Sequence, residues 1–296
     1  MSSAALINSY TFANIWLSIS VTEPLTSCAC VAARVTHDIP VDEHVLGVTS
    51  VGDELLMLLR RDDNQVAVYS VNDYRRLRRV HLPGLKGHDA ADLTSCVRHK
   101  CLYACDWNNK CIHRCDLISS TVSKWSVPDR PCGLSVTPGC CNLLVTCQEP
   151  SKLVEMCADS GQLVREITLQ SDIKSLHHAV QLTTGEHVVC HGSAWKKGLH
   201  RVCLVDVEGR VTRSYGGPRG SGVGHLNAPR HLAVDEDSQF IFVADQYNDR
   251  VVLLSLTLKF VRDLSDGLSR PCRLYLHETT RRLFVGQSDG VTVLQL

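Results

Sequence analysis

The amino-acid sequence predicts an all-β fold: a six-bladed β-propeller of four-stranded antiparallel blades, closed by an N-terminal strand. Three observations lead to this prediction. One segment contains a complete four-stranded unit, and weaker copies of it recur at intervals close to the length of a propeller blade. A lone strand-like segment also precedes the first unit, where a ring needs a closing strand.

The clearest unit runs from Gly222 to Leu254 and has the sequence GVGHLNAPRHLAVDEDSQFIFVADQYNDRVVLL. Its LAV and FIFVA segments are β-rich apolar runs separated by the turn-like EDSQ, and a second turn at Asp245 to Asp249 precedes RVVLLSL. A fourth candidate strand follows around Leu258 to Leu264. Four antiparallel strands in about 40 residues match one propeller blade.

Copies of this unit recur along the chain. The apolar residue that opens the third strand marks six of them, at Val66, Ile112, Val154, Val202, Val251 and Val291. The intervals of 46, 42, 48, 49 and 40 residues each approximate one blade. Three inner strands share a Pro-x-x-Leu-x-aliphatic motif, which begins at Pro131, Pro229 and Pro271. Proline cannot donate a hydrogen bond to a sheet, so it marks the residue at which each strand begins. The fourth unit has extra residues around 194–198, which leaves five or seven blades as alternatives.

The two ends of the chain predict how the ring closes. Residues 1–27 carry no repeat signal and are unassigned, while residues 28–296 are assigned to the propeller. The last unit shows only three candidate strands before Leu296, so the segment CACVAARV, within residues 28–37, is predicted to supply the fourth. Such a strand removes an exposed sheet edge.

Composition narrows the function classes. Lys plus Arg equals Asp plus Glu at 31 each, so no overall charge attracts the chain to nucleic acid or to an acidic membrane. The sequence contains neither a transmembrane run nor a secretory signal, which predicts a cytoplasmic protein without a membrane partner. The fifteen cysteines are odd in number and many lie in apolar strand-like runs, which favours reduced, buried thiols over a disulfide scaffold. No heptad pattern is present, so a monomer is predicted.

The segments GHLNAP, HLAVD and VADQYNDRVV resemble one NHL repeat, the unit from which the propellers of that family are built. The second unit repeats part of the motif, since Asp106 and Asn109 correspond to Asp245 and Asn248, and such side chains hold tight turns. NHL propellers are most familiar as the C-terminal part of tripartite-motif (TRIM-NHL) proteins, in which a RING, B-boxes and a coiled coil confer ubiquitin-ligase activity. This sequence shows none of those patterns, so the resemblance implies a target-recruiting propeller that is not itself an enzyme.

Two sets of residues offer alternative metal sites. The first, with a spacing that zinc permits, consists of Cys101, Cys105, Cys111 and Cys115 with His113. The second is His178 and His231, which lie near the starts of successive inner strands. The peptide-amidating lyases, which resemble NHL propellers in fold, hold zinc with histidines at such positions, and lactonase-like propellers hold calcium there. No third histidine occupies the corresponding place, so no cofactor is predicted. A metal-dependent lyase or hydrolase is the alternative function.

Candidate binding residues collect on one face of the predicted ring. The loops that lead into the inner strands and those between second and third strands emerge on the same face of a propeller. The candidates there are Arg130, Arg230, His231, Arg270, Arg273, Trp107, Lys110, Tyr247, Asn248 and Arg250. Arginine and aromatic residues are enriched at protein hot spots and also suit stacked RNA, but the balanced charge favours protein. The predicted function is therefore a non-catalytic platform that recruits a protein partner, with RNA as the second ligand class.

Overall fold

A computed structural model describes residues 33–41, 43–60, 65–86 and 89–296. These residues form β-strands joined by turns and three short 3-10 segments, with no α-helix in the described ranges. The strands, in chain order, are β1 (Arg34–Pro40), β2 (Val45–Val51), β3 (Glu54–Leu59), β4 (Gln65–Ser70), β5 (Arg76–His81), β6 (Ala90–Cys96), β7 (Cys101–Asp106), β8 (Cys111–Asp116), β9 (Val122–Ser126), β10 (Pro131–Val136), β11 (Asn142–Cys147), β12 (Lys152–Cys157), β13 (Leu163–Thr168), β14 (Leu176–Gln181), β15 (His187–His191), β16 (Leu199–Val205), β17 (Val211–Pro218), β18 (Pro229–Asp235), β19 (Phe240–Asp245), β20 (Arg250–Ser255), β21 (Phe260–Leu264), β22 (Arg273–His277), β23 (Arg282–Gly286) and β24 (Gly290–Gln295).

The strands form six sheets of four antiparallel strands each, and the inner strands of the sheets contact one another in the cyclic order β2, β6, β10, β14, β18, β22 and back to β2. This is a six-bladed β-propeller, as the spacing of the repeats predicts. The residues chosen as markers of the third strand all lie in β4, β8, β12, β16, β20 and β24.

Burial changes from the middle of each blade to its edge. The second strands are buried almost throughout because both of their faces are covered by neighbouring blades, as in the FIFVA run of β19 and the LLMLL run of β3. Apolar clusters accordingly join consecutive blades. The outer strands are exposed and charged, and β5 carries Arg76, Arg78 and Arg79. Charged outer strands discourage edge-to-edge pairing.

Strand β1 closes the ring. It pairs antiparallel with β24, so the sixth blade contains β22, β23, β24 and β1. Ile39 is the buried side chain of β1 and lies opposite Val291. The closing strand overlaps the predicted one at 34–37 and extends to Pro40, whereas the predicted residues 28–32 lie outside the described residues.

The register of hairpin β7–β8 separates the four cysteines of the first candidate zinc set. Cys101 pairs with Asp116 and Cys105 with Ile112, while Cys111 pairs with Asp106 and Cys115 with Leu102. Because side chains alternate across a strand, Cys101 and Cys105 lie on one face of the blade and the other two cysteines lie on the opposite face. The expectation that all four could project to one face is therefore wrong.

The cysteines of the described residues are free thiols, and most of them are buried. Burial raises the pKa of Cys190 and of Cys203 to about 12, so both side chains are neutral, apolar packing groups at ordinary pH. Among the described residues, no helix has the length and apolar character needed to cross a membrane.

Candidate functional site

A β-bulge near the start of the inner strand brings successive side chains to the central channel. The pairing register between the first and second strands shifts at this point in five blades, in β2, β6, β10, β14 and β18. In β18, for example, Pro229 pairs with Asp245 and His231 with Ala244, so Arg230 is the extra residue. A bulge re-aims side chains next to the pairing it interrupts. Two residues of each of these five strands are thereby available to the channel, and Cys272 and Arg273 hold the corresponding places at the entry of β22.

These residues form two levels. We call the first the mouth ring, which consists of Leu46, Ala91, Cys132, His177, Arg230 and Cys272 and lines the cavities at one end of the channel. The second is the throat ring, made of the next residue of each strand: Gly47, Asp92, Gly133, His178, His231 and Arg273. Glycine is required at Gly133 because a Cβ there would lie 2.6 Å from the carbonyl oxygen of His177.

The throat ring contains a buried cluster of charge. The Asp92 carboxylate lies 3.3 Å from Nε of Arg273 and 3.4 Å from Nε2 of His231, and it accepts backbone hydrogen bonds of 2.9 Å from Leu93 and Leu134. Burial alone would raise the pKa of Asp92, but His231 and Arg273 together hold it well below its usual range. Asp92 is therefore ionised and fully hydrogen-bonded.

Arg273 uses its remaining donors inside the ring. Its guanidinium donates to the carbonyl oxygens of Leu46 and Cys272 at 2.5 Å each, and to that of Ala91. These contacts join three blades across the channel. Arg273 is consequently a structural cross-link whose charge is neutralised by Asp92.

Asp92 also supplies the third potential metal ligand that the sequence did not reveal. Ligand atoms of Asp92, His178 and His231 lie within 4.8 Å of one another. Burial lowers the pKa of His178 to about 3, so its ring is neutral, as a metal ligand requires. However, the two imidazoles are stacked with centroids 3.7 Å apart and planes 25° apart, so their in-plane lone pairs run side by side and do not converge on one point. Arg273 also contacts the same carboxylate. The cluster therefore has the geometry of a hydrogen-bonded structural network inside the channel, not that of a zinc centre.

The mouth ring differs because its arginine has no carboxylate partner among the residues that the structure describes. Nη1 of Arg230 donates to Nδ1 of His177 at 3.0 Å, while Nε2 of His177 donates to the carbonyl oxygen of Gly192 at 3.1 Å. Burial, followed by the charge of Arg230, lowers the pKa of His177 well below its usual value, so this histidine is a neutral acceptor. Within the described residues, no acidic side chain lies within ion-pairing distance of Arg230. Its charge is therefore oriented but not neutralised.

Above the mouth ring the channel opens into a funnel. A cavity of about 250 Å³ is lined by the mouth-ring residues other than Cys272, by Arg273, and by the loop residues Arg60, Asp89, Trp107 and Gln148. It continues into a wider cavity of about 380 Å³ bordered by Trp195 and other loop residues. All of these loops lead into inner strands or connect second to third strands, so they form the face that the sequence predicted for binding; we call it the mouth face.

The rim of the funnel carries aromatic side chains paired with arginines. Trp195 is 86% exposed and meets Tyr247 edge-on with ring centroids 6.3 Å apart. Arg270 lies over the same tyrosine ring at 5.6 Å. Arg130 lies over Trp107 at 5.8 Å on another part of the rim.

The structure places the predicted binding residues in three environments. Arg130, Trp107, Lys110, Tyr247 and Arg270 lie in loops of the mouth face, and Lys110 pairs with Asp129 at 3.9 Å. Arg230, His231 and Arg273 line the channel.

Arg250 and Asn248 instead stabilise the turn and strands of their own blade. Arg250 is buried and binds the carboxylates of Asp245 and Asp263 at 2.8 and 2.7 Å, and Asn248 donates to Asp245 at 2.7 Å. Sequence reasoning did not single out Trp195 or His177. A lone tryptophan in the extra residues of the fourth unit was the available signal for the first, and the alignment of His177 with Arg230 at the strand entry was the signal for the second.

Comparison with solved structures supports the fold. The chain is similar to hydrazine synthase from Kuenenia stuttgartiensis, with a TM-score of 0.64, 14% identity and coverage of 89% of this chain and 97% of that one. It is also similar to a streptogramin B lyase, with a TM-score of 0.64, 9% identity and coverage of 88% and 97%. At these identities the likeness establishes the β-propeller fold alone.

No family model matches the chain, so membership of the NHL family is not established, and no curated protein matches it either. The comparison also corrects the prediction that the chain is not an enzyme. Both solved structures bear the names of enzymes on this architecture, so the fold gives no ground for excluding catalysis.

Proposed function

We propose that this propeller recruits a protein partner through the rim of its mouth face, with Trp195, Tyr247 and Arg270 as the central contacts. The observation that supports this function most directly is the 86% exposed Trp195. Trp195 does not stand alone: Tyr247 meets it edge-on and Arg270 lies over that tyrosine, so the three side chains form one cluster on the surface. Tryptophan, tyrosine and arginine are also the residue types that dominate binding energy at protein interfaces.

The surroundings of the rim favour protein over RNA. Lys196 pairs with Glu149 and Lys110 with Asp129, so part of the basic charge of this face is already matched by acidic side chains. Affinity for nucleic acid depends on unmatched cations that follow the phosphate backbone. An exposed tryptophan packed against a part-buried tyrosine and flanked by mixed charge instead resembles the core and rim of a protein interface.

The experiment is selection of displayed random peptides on the full chain, followed by affinity measurement on variants. Trp195→Ala is expected to lower the affinity for the selected peptides by at least about tenfold, as truncation of an aromatic hot spot does. The matched control is Ile118→Ala, which removes a 73% exposed apolar side chain in the turn between β8 and β9 at the opposite end of the blade. Equal binding to wild type and Trp195→Ala would contradict the proposal. Selection of a random RNA pool with no peptide enrichment would replace protein by RNA as the ligand.

A further inference from the structure

Arg230 of the mouth ring has no acidic partner in the described part of the chain, and it marks a second recognition element, distinct from the aromatic rim. Arg230 is largely buried, and burial lowers its pKa, with the charge of Arg273 as the next contribution. Removing a charge from water without a partner is costly, and proteins normally pair or expose such groups. An uncompensated cation at the bottom of an open funnel is a place where an anion restores the balance.

We propose that the mouth ring is a carboxylate-binding pocket anchored by Arg230. His177 is the positioning residue: its Nδ1 accepts from Nη1 of Arg230 at 3.0 Å and leaves the remaining N–H groups of the guanidinium for a ligand in the cavity. A guanidinium fork matches the two oxygens of a carboxylate in a bidentate pair.

The other charges of the cavity favour a singly charged ligand. Arg60 adds a second cation to the wall, and Asp89 opposes it with a carboxylate that accepts from Nδ2 of Asn108 at 2.5 Å. Burial, then Arg60, lowers the pKa of His44 to about 4, so this neighbour adds no charge at neutral pH. Apart from the Arg273–Asp92 pair, the described wall therefore carries a net charge of +1. A single carboxylate neutralises this charge, whereas a phosphate dianion would leave a net negative charge.

Two sources can supply this carboxylate. One is a free small carboxylic acid, whose binding requires Arg230 alone. The other is an acidic side chain or C-terminus of a polypeptide, which rests on the proposed function because the polypeptide would also cover Trp195 at the rim of the same funnel. The cavity of about 250 Å³ accommodates either group.

The test measures calorimetric binding and thermal shifts of the full chain at low ionic strength. The ligands are acetate, succinate and inorganic phosphate, together with short peptides that carry or lack one glutamate. The variants are Arg230→Met, which keeps an unbranched apolar stem, and Arg213→Met as the matched control, because Arg213 is exposed on the outer strand β17. Trp195→Ala separates the two sources, since it is expected to weaken peptide binding and leave acetate and succinate binding unchanged.

We expect carboxylates to bind wild type and Arg213→Met equally, and to bind Arg230→Met at least about tenfold more weakly. We also expect unliganded Arg230→Met to melt at a higher temperature than wild type, because the uncompensated buried charge is gone. A structural role for Arg230 would give the opposite shift in melting temperature. Tighter binding of phosphate than of succinate, equal carboxylate binding to Arg230→Met, or no carboxylate binding to wild type would each overturn the proposal.

Discussion

Two arginines at neighbouring levels of the channel show how local partners decide the role of a residue. Arg273 is surrounded by carbonyl oxygens of three blades and by the Asp92 carboxylate, whereas Arg230 has the neutral ring of His177. Both side chains are arginine, and both come from the entry of an inner strand. The first holds the ring together, and the second is available to a ligand.

A substitution of Asp92 tests the structural half of this contrast. Asp92→Asn leaves the buried guanidinium of Arg273 without its counter-ion, and breaking a buried pair from one side typically lowers the free energy of unfolding by about 3–5 kcal/mol. Urea denaturation of the variant measures the loss. The double variant Asp92→Asn with Arg273→Met is the control, because it removes the stranded charge and is expected to recover part of the stability. Unchanged stability of Asp92→Asn would contradict the assignment.

Among the elements, the closing strand depends on a small contact area. Of the side chains of β1, Ile39 is the buried one, at 3% exposure. The rest of the attachment is the backbone ladder to β24, the hydrogen bonds of Thr36 and Asp38 to that strand, and the stacking of His37 on Tyr74. Ile39→Asp places a carboxylate in that apolar contact and is expected to release β1, lowering the free energy of unfolding by about 3 kcal/mol or more. Thermal unfolding together with light scattering measures both the loss and the association of the exposed β24 edge.

The control for this variant is Arg34→Asp, which introduces the same side chain at an exposed position of the same strand. It is expected to leave the unfolding temperature nearly unchanged. If Ile39→Asp and Arg34→Asp have the same unfolding temperature, ring closure does not depend on the Ile39 contact.

The inner strands also show what sequence patterns reveal about an element and what they omit. Proline at the strand entry and alternating apolar residues predicted where β10, β18 and β22 begin. The bulge that follows has no signature in a two-residue alternation, since it depends on how the first and second strands pair. For that reason the sequence predicts Arg273 in the surface loop together with Arg230, whereas the structure places it one level deeper, in the same ring as His231.

The whole molecule carries many buried, neutral histidines, and this gives it a pH-dependent stability. Burial lowers the pKa of His178 to about 3 and those of His187 and His191 to about 4. In the unfolded chain these groups titrate near pH 6.5, so between that pH and about 4 the unfolded state binds protons that the folded state does not. The free energy of unfolding therefore falls as the pH falls through this window, with a limiting slope of about 1.4 kcal/mol per pH unit for each histidine.

Urea denaturation at pH 7.5 and pH 5 measures this slope. His187→Gln is expected to reduce it by the contribution of one proton, because His187 is fully buried and its pKa is strongly lowered. The exposed His81→Gln serves as the control. Equal stability at the two pH values would show that the buried histidines do not take up protons on unfolding.

At the scale of the molecule, the sequence predicted the number of blades and their four-stranded antiparallel organisation. Repetition made this possible, because strands recognised in one unit identify the matching strands in the others. The site depends instead on the places where the units differ. Asp92 and His177 have residues of other types at the matching positions of the other five blades, and Trp195 lies in the extra residues of the fourth unit. Their proximity comes from closure of the ring, which joins blades that are far apart in the chain.

The separation of the two channel levels has a use in protein engineering. Ala91, Cys132, His177 and Arg230 border the cavity, whereas Leu46 and Cys272 are buried in the packing of the ring. The four positions 91, 132, 177 and 230 can therefore be randomised while the Asp92–Arg273 cross-link is kept. A library built on those four positions would vary the chemistry of the funnel on a constant frame. One scaffold would then yield receptors for different small molecules, with variants chosen for affinity and not for the ability to fold.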